Sequence, residues 1–509
     1  MNATDSADYV IVGAGSAGCV LSARLSADAG CEVALLEAGG DARSQAVLQP
    51  SQWPLLWDRD EGHGYATTLQ AGYAARSIPC PRGKGLGGSS AINAMLYIRG
   101  DPADYDHWRD AGNPGWGWDD VLPLFKRSQD QARGASALHG TGGELPVTDQ
   151  ATPHPLSLAF IEAAAAAGHG ANPDFNGPTQ GGAGLYQTTI RDRERFSTAR
   201  AFLDPARGRA NLRVVTRART LRVVLEGDRA VGVEFFDGSQ VRRLLARREV
   251  VLCAGAIDSP RLLMLSGIGN TAQLEPLGIA VRCALPGVGA NLCDHPASPL
   301  MFGLRNPGPM PSTSVHAEAG LFTRSEQVDD GYTNHIQYFV MPYGPLMPAA
   351  RGRTMGAFAV AQALRPKSRG SVRLRSADPM DAPLIDPAYL THPDDVRLQI
   401  EGLRILRQIF ASAPMQEFVS DEKMPGAAVQ SDQALEAAVR SSSGTMFHPV
   451  GTCRMGPGHE DVVDSQLRVH GIRALRVADA SVMPRITSGN TNAPTIMIAE
   501  RASDMIRKA

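Results

Sequence analysis

The chain has few of the features that mark secreted, metal-binding or membrane-spanning proteins. Its seven cysteines, at positions 19, 31, 80, 253, 283, 293 and 453, are odd in number and form no Cys-x-x-Cys pair. This pattern disfavours a disulfide framework and a zinc ribbon, and it fits a reducing, cytoplasmic location. The sequence has no His-Glu-x-x-His motif or comparable cluster, so we expect no metal.

Charge and hydropathy exclude further classes. Lys and Arg number 50 against 52 Asp and Glu, without a basic block, so we expect no nucleic-acid partner. The N-terminus lacks a basic segment followed by an apolar one, and no apolar run is long enough to span a bilayer. We therefore expect no signal peptide and no transmembrane segment, while peripheral contact with a membrane stays open. With 509 residues, 43% of them hydrophobic, the chain is long enough for two globular domains.

The first forty residues follow a strand–helix–strand pattern. Residues 9–12 and 33–36 are short apolar runs, and residues 16–29 have helical spacing. The turn between them reads Gly-Ala-Gly-Ser-Ala-Gly, the context in which a dinucleotide fingerprint binds a pyrophosphate at a helix N-terminus. The expected contacts in this turn are Gly13, Gly15, Ser16, Ala17 and Gly18.

Glu37 ends the second apolar run, nineteen residues after the last glycine of the turn. An acid at this place can accept hydrogen bonds from ribose hydroxyls, and its charge would repel a 2′-phosphate. The motif and the acid together predict an ADP moiety. A glycine-rich turn without a ligand is the alternative, and the motif alone does not separate FAD from NAD.

Further along, the pattern predicts a helix near 158–167, a small antiparallel meander over 212–251, a strand at 370–375 and a helix over 396–410. No internal repeat or long low-complexity tract interrupts this order.

Four later segments carry a more specific signal. Residues 83–93 read Gly-Lys-Gly-Leu-Gly-Gly-Ser-Ser-Ala-Ile-Asn, and residues 255–269 begin Gly-Ala-Ile-Asp-Ser-Pro-Arg. Residues 448–456 read His-Pro-Val-Gly-Thr-Cys-Arg-Met-Gly, and Val-Ala-Asp-Ala-Ser at 477–481 precedes Gly-Asn-Thr-Asn-Ala-Pro-Thr at 489–495. Together these segments resemble the glucose–methanol–choline (GMC) oxidoreductases over nearly the whole chain. The likeness is greatest to bacterial choline-dehydrogenase-like and aliphatic alcohol dehydrogenases.

The resemblance implies a mixed α/β fold, with a Rossmann-like FAD-binding domain and a substrate domain built on an antiparallel sheet. Both domains would be interrupted in sequence. The FAD-binding domain would comprise residues 5–150, 196–298 and 447–509, and the substrate domain residues 151–195 and 299–446.

The resemblance also assigns FAD contacts. Loop 83–95 would lie beside the pyrophosphate and the flavin ring, position 220 on the strand near adenine, positions 479–480 at the pyrophosphate and ribityl chain, and positions 494–495 at the pyrimidine edge. The residues so assigned are Glu37, Ala38, Arg82, Gly87, Ser89, Asn93, Ala94, Met95, Thr220, Ala254, Asp479, Ala480, Asn490, Pro494 and Thr495. Some relatives tether FAD through a histidine, but Ile92 stands at that position here, so FAD is expected to be non-covalent.

Oxidation of an alcohol by a flavin needs a base for the hydroxyl proton and a hydride acceptor in line with the C–H bond. Histidine suits the base role because its ordinary pKa is about 6.5. By resemblance we expect His448 to be the base, and Asn492, forty-four residues later, to orient the substrate oxygen. A histidine before proline can also be merely structural. His295, in Asp-His-Pro at 294–296, resembles a family segment expected to brace the domain junction.

The substrate region is apolar and rich in methionine and phenylalanine, which favours a hydrophobic primary alcohol over a sugar or a quaternary amine. The residues concerned are Phe339, Met341, Tyr343, Met347, Met355, Phe358, Met446 and Phe447. An ordinary hydrophobic core is the open alternative. The segment 296–347 is shorter than in the aliphatic alcohol relatives, which predicts a more open entrance.

The electron acceptor is expected to be a quinone or another non-oxygen acceptor, with an alcohol oxidase that uses O₂ and releases H₂O₂ as the alternative. Three other functions stay open at the level of the residues. They are non-redox chemistry on FAD, flavin binding without turnover, and a nicotinamide dehydrogenase.

Overall fold

The computed structural model describes residues 5–57, 59–306, 311–328, 330–345 and 355–508. Most of the strands belong to two seven-stranded sheets. In chain order these strands are β1 (Ser6–Val12), β2 (Val33–Leu36), β3 (Gly182–Leu185), β4 (Leu212–Val215), β5 (Arg219–Glu226), β6 (Arg229–Phe236), β7 (Val241–Leu252), β8 (Pro296–Leu304), β9 (Ala319–Thr323), β10 (Ile336–Pro345), β11 (Met355–Ala363), β12 (Val419–Met424), β13 (Gly444–Thr445) and β14 (Leu475–Val477).

Within the described residues, eight helices have nine or more residues. They are α1 (Ser16–Leu25), α2 (Pro102–Asp110), α3 (Trp118–Ser128), α4 (Pro155–Ala164), α5 (Gly255–Leu265), α6 (Pro393–Phe410), α7 (Asp432–Ser442) and α8 (Asn492–Arg507). Shorter α-helical turns occupy Gln45–Leu48, Asp204–Ala206, Thr271–Leu274 and Ala413–Gln416. Two-stranded ribbons pair Gln129–Gln131 with Leu145–Val147, Ile190–Arg191 with Glu194–Arg195, Ile268–Gly269 with Cys283–Ala284, and Ser371–Arg373 with Leu384–Asp386.

The first sheet has the strand order β4-β2-β1-β7-β6-β5, and β14 lies along the end of β7. Strands β4, β2, β1, β7 and β14 are mutually parallel, which is why β1, β2 and the end of β7 are almost wholly apolar. The meander predicted over 212–251 forms only from β5, β6 and β7, which are antiparallel. Leu212–Val215 instead adds a parallel edge strand beside β2. The helix predicted over 16–29 ends earlier, at Leu25.

The second sheet is antiparallel and has the order β12-β8-β11-β10-β9-β3, with β13 beside β8. Alternate side chains of β10 point to opposite faces. Tyr338 and Val340 share a core cluster with Leu403 and Leu406 of α6. Phe339 belongs to a separate cluster on the other face, with Met341 packed against it. One face of the sheet is therefore covered by helices, and the other is available to a ligand.

The two sheets draw their strands from interleaved parts of the chain. The mixed α/β architecture with an antiparallel second sheet confirms the predicted fold class, while the domain bounds stay a prediction. Among the described residues no helix combines the length and the hydropathy needed to cross a membrane. Within the same residues, His, Cys, Asp and Glu side chains do not gather in groups of three or more that could hold a metal ion.

Candidate active site

A long cavity runs from the carboxyl ends of β1, β2 and β7 to the uncovered face of β10. Its wall includes Gly13 after β1, Glu37 after β2 and Ala254 after β7, and it reaches Phe339 and Met341 on the second sheet. The carboxyl edge of a parallel sheet is where open α/β folds bind their ligands. The second sheet closes the other side of this cavity.

Nearly all residues predicted to contact cofactor or substrate line this cavity. They are Gly13, Gly15, Ser16, Ala17, Glu37, Ala38, Arg82, Ser89, Asn93, Ala94, Met95, Thr220, Ala254, Phe339, Met341, Met446, Phe447, His448, Asp479, Ala480, Asn490, Asn492 and Thr495. Three predicted contacts, Gly18, Gly87 and Pro494, lie behind the wall. A Cβ on Gly18 would lie 1.9 Å from the Gly13 carbonyl oxygen, so this glycine lets α1 approach the turn. The backbone N–H of Gly87 donates to Ala14 O (2.8 Å), and Pro494 is buried in the first turn of α8.

The first glycine turn leaves the start of α1 open to an anion. Gly13 has φ +98°, and a Cβ there would lie 2.6 Å from the carbonyl oxygen of Cys253. Helix α1 begins at Ser16 without a side-chain cap, and its first turn contains no acidic residue. Its first N–H groups and its dipole are therefore available for a diphosphate.

Glu37 joins the two glycine-rich loops. Its carboxylate accepts hydrogen bonds from the N–H groups of Ala14 (2.9 Å), Gly39 (2.8 Å) and Gly85 (2.9 Å). Burial raises the pKa of this carboxyl, while the three N–H groups oppose that effect. These hydrogen bonds let Glu37 hold the cradle in shape, and its predicted contact with a ribose stays a prediction.

Asp479 is a second buried carboxylate in the wall. It accepts hydrogen bonds from Gly255 N (2.8 Å), Ser259 Oγ (2.6 Å) and Ser481 N (2.8 Å). Burial raises its pKa. Its side chain therefore fixes the start of α5 and the turn at 480–482. Asp479 and Ala480 both line the cavity, and their contact with the pyrophosphate and ribityl chain stays a prediction.

Two buried polar atoms of the wall have no partner of their own in the described part of the chain. Thr220 Oγ1 and Asn490 Oδ1 are buried, face no hydrogen-bond partner within the described structure, and belong to residues of the wall. Buried polar atoms are rarely left unpaired, so both positions fit a bound polar ligand. Helix α8 also begins at the wall, without a side-chain cap or an acid in its first turn. The uncapped N-termini of α1 and α8 thus both lie at the cavity.

His448 lies in the wall and is 7% exposed. Its Nδ1 is 3.0 Å from Nδ1 of His295, and its Nε2 is 3.2 Å from the amide nitrogen of Asn490. Phe447, the residue before it, has φ +64°. Thr445 Oγ1 accepts from Phe447 N (2.8 Å), and Arg82 donates to Phe447 O (2.7 Å), which fixes this unusual backbone.

The hydrogen bonds define which ring nitrogen of His448 carries the proton. His295 Nε2 lies 2.8 Å from the carbonyl oxygen of Leu364, so this nitrogen must be a donor. Burial lowers the pKa of His295 to about 3, so the ring is neutral and its Nδ1 accepts. His448 therefore donates through Nδ1, and its Nε2 carries a lone pair at the cavity wall. Burial, then His295, then Arg82 lower the pKa of His448 well below its ordinary value.

Asp294 anchors both histidines. Its Oδ1 accepts from the backbone N–H groups of His448 (2.7 Å) and His295 (2.8 Å). Its Oδ2 accepts from Thr445 Oγ1 and from the Tyr389 hydroxyl, each at 2.5 Å. The Asp-His-Pro segment was expected only to brace the domain junction. The contact between His295 and His448 is not predictable from the sequence, because no local pattern links residues 153 positions apart.

Asn492 does not contact His448. Its Oδ1 accepts a hydrogen bond from Ser16 Oγ (2.7 Å), so it joins the start of α8 to the start of α1. The asparagine beside the histidine is Asn490, which the sequence analysis had assigned to FAD. The structure thus brings together His448 and Asn490 instead of the predicted His448 and Asn492, while the catalytic role of these residues stays a prediction.

Aromatic side chains surround the part of the cavity next to His448. Trp57 lies 4.6 Å from Phe447 and 5.3 Å from Trp53, measured between ring centroids. Both tryptophans line the cavity, and the sequence analysis had not singled them out. Phe339 is also part of the hydrophobic core, since it stacks on Tyr186 at 5.4 Å. Phe358 is outside the wall. Met347 and the side chains of Tyr343 and Met355 lie outside the described residues.

The carboxylates of the described wall belong to the nucleotide end. They are Glu37, Asp258 and Asp479. Asp258 accepts from the Tyr65 hydroxyl (3.0 Å) and forms an ion pair with Arg261 (2.8 Å). Within the described residues, the aromatic part of the cavity therefore has no carboxylate in its wall.

Comparison with known proteins identifies relatives over the whole chain. Two family models described as GMC oxidoreductase match residues 7–297 and 366–499. An alcohol dehydrogenase (acceptor) from Pseudomonas putida is 42% identical, over 98% of this chain and 95% of the relative. The mitochondrial choline dehydrogenase of Homo sapiens is 40% identical, over 99% of this chain and 90% of the relative. The crystal structure of pyridoxine 4-oxidase from Mesorbium loti has a TM-score of 0.94 and 35% identity, with 99% of each chain covered.

These relationships decide what the first glycine turn left open, because GMC oxidoreductases bind FAD and not a nicotinamide. The chain belongs to the GMC oxidoreductase family, whose members use FAD to oxidise alcohols or related CH–OH donors.

Proposed function

We propose that this protein oxidises a hydrophobic primary alcohol to the aldehyde, with His448 as general base and Asn490 orienting the alcohol oxygen. The observation that carries the proposal is the lone pair on His448 Nε2, which faces Asn490 in a wall shared with aromatic side chains. Bound FAD supplies the hydride acceptor. The carbinol carbon loses a hydride and the hydroxyl loses a proton to His448, which yields the aldehyde.

The chain of hydrogen bonds supports His448 as the base. His448 must be neutral to accept a proton, and burial keeps it neutral. Once Nε2 is protonated, the ring is a buried cation whose Nδ1–H is already paired with His295. The amide N–H of Asn490 can donate to the substrate oxygen as negative charge develops on it, which is the electrostatic role of an oxyanion hole.

The wall favours an uncharged, apolar substrate. Trp53, Trp57 and Phe447 offer flat apolar surfaces, and the described wall has no carboxylate near them that would attract a quaternary ammonium group. Aromatic faces alone can hold such a cation. Choline is therefore the necessary comparison substrate.

We expect anaerobic mixing of the purified holoenzyme with benzyl alcohol or heptanol to bleach the flavin absorbance at least about tenfold faster than equimolar choline or glucose. Trp57→Leu should raise the KM for these alcohols several-fold with a smaller change in kcat, because it removes pocket surface and not the base. Leu55→Ala, at an exposed position of the neighbouring turn, is the control. Faster bleaching by choline would contradict the proposed substrate class, and no bleaching by any alcohol would contradict the proposed reaction.

For the oxidative half-reaction we propose a quinone-like acceptor, in keeping with the acceptor-dependent alcohol dehydrogenase relative. The pyridoxine 4-oxidase likeness favours the alternative, an alcohol oxidase. Admitting air to the reduced enzyme separates them. Slow reoxidation by O₂ with rapid reoxidation by a soluble quinone supports the dehydrogenase, and rapid reoxidation by O₂ with H₂O₂ release supports the oxidase.

The limiting rate of anaerobic flavin reduction should depend on pH through His448. An ordinary histidine is half protonated at about pH 6.5. Because the pKa of His448 is lowered, its basic form persists to more acid pH, and the rate should stay level from about pH 8 to about pH 6.5 and fall only below that. Stopped-flow reduction at saturating alcohol, with FAD retention checked at each pH, measures this. A rate that halves at or above about pH 7 would contradict the assignment.

We further propose that FAD is held non-covalently, since Ile92 lines the cavity and offers no nucleophilic atom. A cytoplasmic location remains our proposal. It is supported by the seven cysteines, which are all free and of which only Cys283 is not buried.

A further inference from the structure

Arg195 is a buried cation without a counter-ion in the described structure. Only 1% of the residue is exposed. Its Nε donates to Val47 O (2.8 Å), and its Nη1 donates to Asn93 O (2.6 Å), Asn93 Oδ1 (2.9 Å) and Ser90 O (3.3 Å). All these acceptors are uncharged. Its Nη2 is buried without a hydrogen-bond partner among the described residues.

The loop that Arg195 holds forms part of the cavity wall. Asn93 lines the cavity, and its Oδ1 accepts from Met95 N (3.0 Å) as well as from Arg195. Met95 also lines the cavity and has φ +60°, a backbone conformation that needs support. The guanidinium therefore lies directly behind the wall, one hydrogen bond from Asn93, which lines the cavity.

A buried charge without a partner is costly in a protein interior. Burial lowers the pKa of Arg195 to about 9, which leaves it protonated at neutral pH. The nearby Arg200 shows the usual arrangement, since it forms an ion pair with Glu194 at 2.9 Å. An uncharged side chain at position 195 would avoid this free-energy cost. The positive charge is therefore useful only if it balances a negative charge on a bound ligand.

Hydride transfer creates such a charge. The alcohol gives the hydride to FAD and the hydroxyl proton to His448, so the cofactor gains two electrons and one proton and becomes more negative by one unit. We propose that Arg195 is a positioning residue that fixes the Ser90–Asn93 loop against bound FAD, and that its positive charge stabilises reduced FAD and raises the reduction potential. This inference depends on FAD binding and not on the identity of the alcohol or the base.

The test compares two variants. Arg195→Met keeps an unbranched stem but removes the charge and the hydrogen-bond donors, and Arg195→Lys keeps the charge but not the planar, forked guanidinium. Arg200→Met is the control, because Arg200 is paired with Glu194 and also donates to the carbonyl oxygen of Arg195 (2.8 Å). It shows whether loosening this backbone, without loss of the Arg195 charge, changes the potential. The readouts are the midpoint potential of bound FAD against a reference dye, the flavin content, and the shift of Tm on adding FAD.

We expect Arg195→Met to shift the equilibrium between oxidised and reduced FAD at least about tenfold toward the oxidised form. This corresponds to a midpoint potential lower by about 30 mV for a two-electron couple. Arg195→Lys should stay within about threefold of the parent, and Arg200→Met should be unchanged. A parent-like potential in the Arg195→Met holoenzyme would overturn the role of the charge. If Arg195→Met fails to retain FAD, the Arg195→Lys variant tests the proposal instead. A midpoint potential like that of the parent supports the proposal, and a tenfold shift of the equilibrium toward oxidised FAD overturns it.

Discussion

Replacing His448 with glutamine is expected to slow anaerobic reduction of FAD by the alcohol about 10²- to 10⁴-fold, the range that a positioned general base contributes. Glutamine can keep a hydrogen bond toward His295 but has no basic nitrogen to accept the hydroxyl proton. FAD should remain bound, because the diphosphate cradle is formed by the glycine turn and the start of α1. Stopped-flow reduction at saturating alcohol measures the loss, and the flavin spectrum confirms occupancy.

The control for this variant is another buried histidine that does not line the cavity. His335 is 3% exposed and is bonded to Ser325 N and to Asp330. His335→Gln should therefore reduce FAD at nearly the parent rate if it folds. Reduction of the His448→Gln holoenzyme at the parent rate would refute His448 as the base, whatever the control does.

The parts of the fold and site that could be predicted from the sequence depend on short spacings. The first strand, glycine turn and helix lie within twenty residues of one another, so their order is visible in the sequence. The turn needs a glycine at position 13, where φ is +98°, and this requirement makes the motif recognisable. His448 was found because it opens a motif. The edge strand Leu212–Val215 was misplaced in the meander, because its pairing with β2 spans nearly 180 residues and no local pattern encodes it.

The rest of the site depends on tertiary packing. His295 looked like a brace at the domain junction, and only the packed structure brings its Nδ1 to 3.0 Å from His448. Glu37 and Asp479 are acids, as the sequence predicts, but their carboxylate oxygens accept hydrogen bonds from backbone N–H groups of other loops. The sequence shows that an acid ends a strand. It does not show which distant backbone N–H groups that acid will bind.

The exchange between Asn490 and Asn492 has a local cause. The two asparagines are separated by a single residue, and α8 begins at Asn492. Asn492 is the first helical residue, whereas Asn490 precedes the N-cap Thr491 and lies outside the helix, so the backbone directs the two side chains differently. One therefore faces His448 and the other faces Ser16. The spacing of the motif predicts that one of these two asparagines lies near His448. Only the structure shows in which direction each side chain points.

This geometry predicts different effects for the two asparagines. Asn490→Ala should slow flavin reduction about 10²- to 10³-fold, comparable to removal of one oxyanion-hole donor, while FAD stays bound. Its amide nitrogen is 3.2 Å from His448 Nε2, where the alcohol oxygen must come to transfer its proton. Asn492→Ala should mainly weaken FAD retention, because it removes the hydrogen bond that joins the starts of α1 and α8 at 2.7 Å.

The two variants are controls for each other, since they make the same chemical change two positions apart. Reduction rates are compared only on fully FAD-loaded protein, and FAD affinity is measured separately by reconstitution of the apoprotein. Ser16→Ala removes the other end of the bond to Asn492, so it should reproduce the affinity loss of Asn492→Ala and add little to it in the double variant. If loaded Asn492→Ala shows the large loss of rate while Asn490→Ala reduces FAD normally, the family pairing inferred from spacing is right and the pairing derived from the structure is wrong. The substrate oxygen would then bind beside Ser16, and the contact between Asn490 and His448 would be only structural.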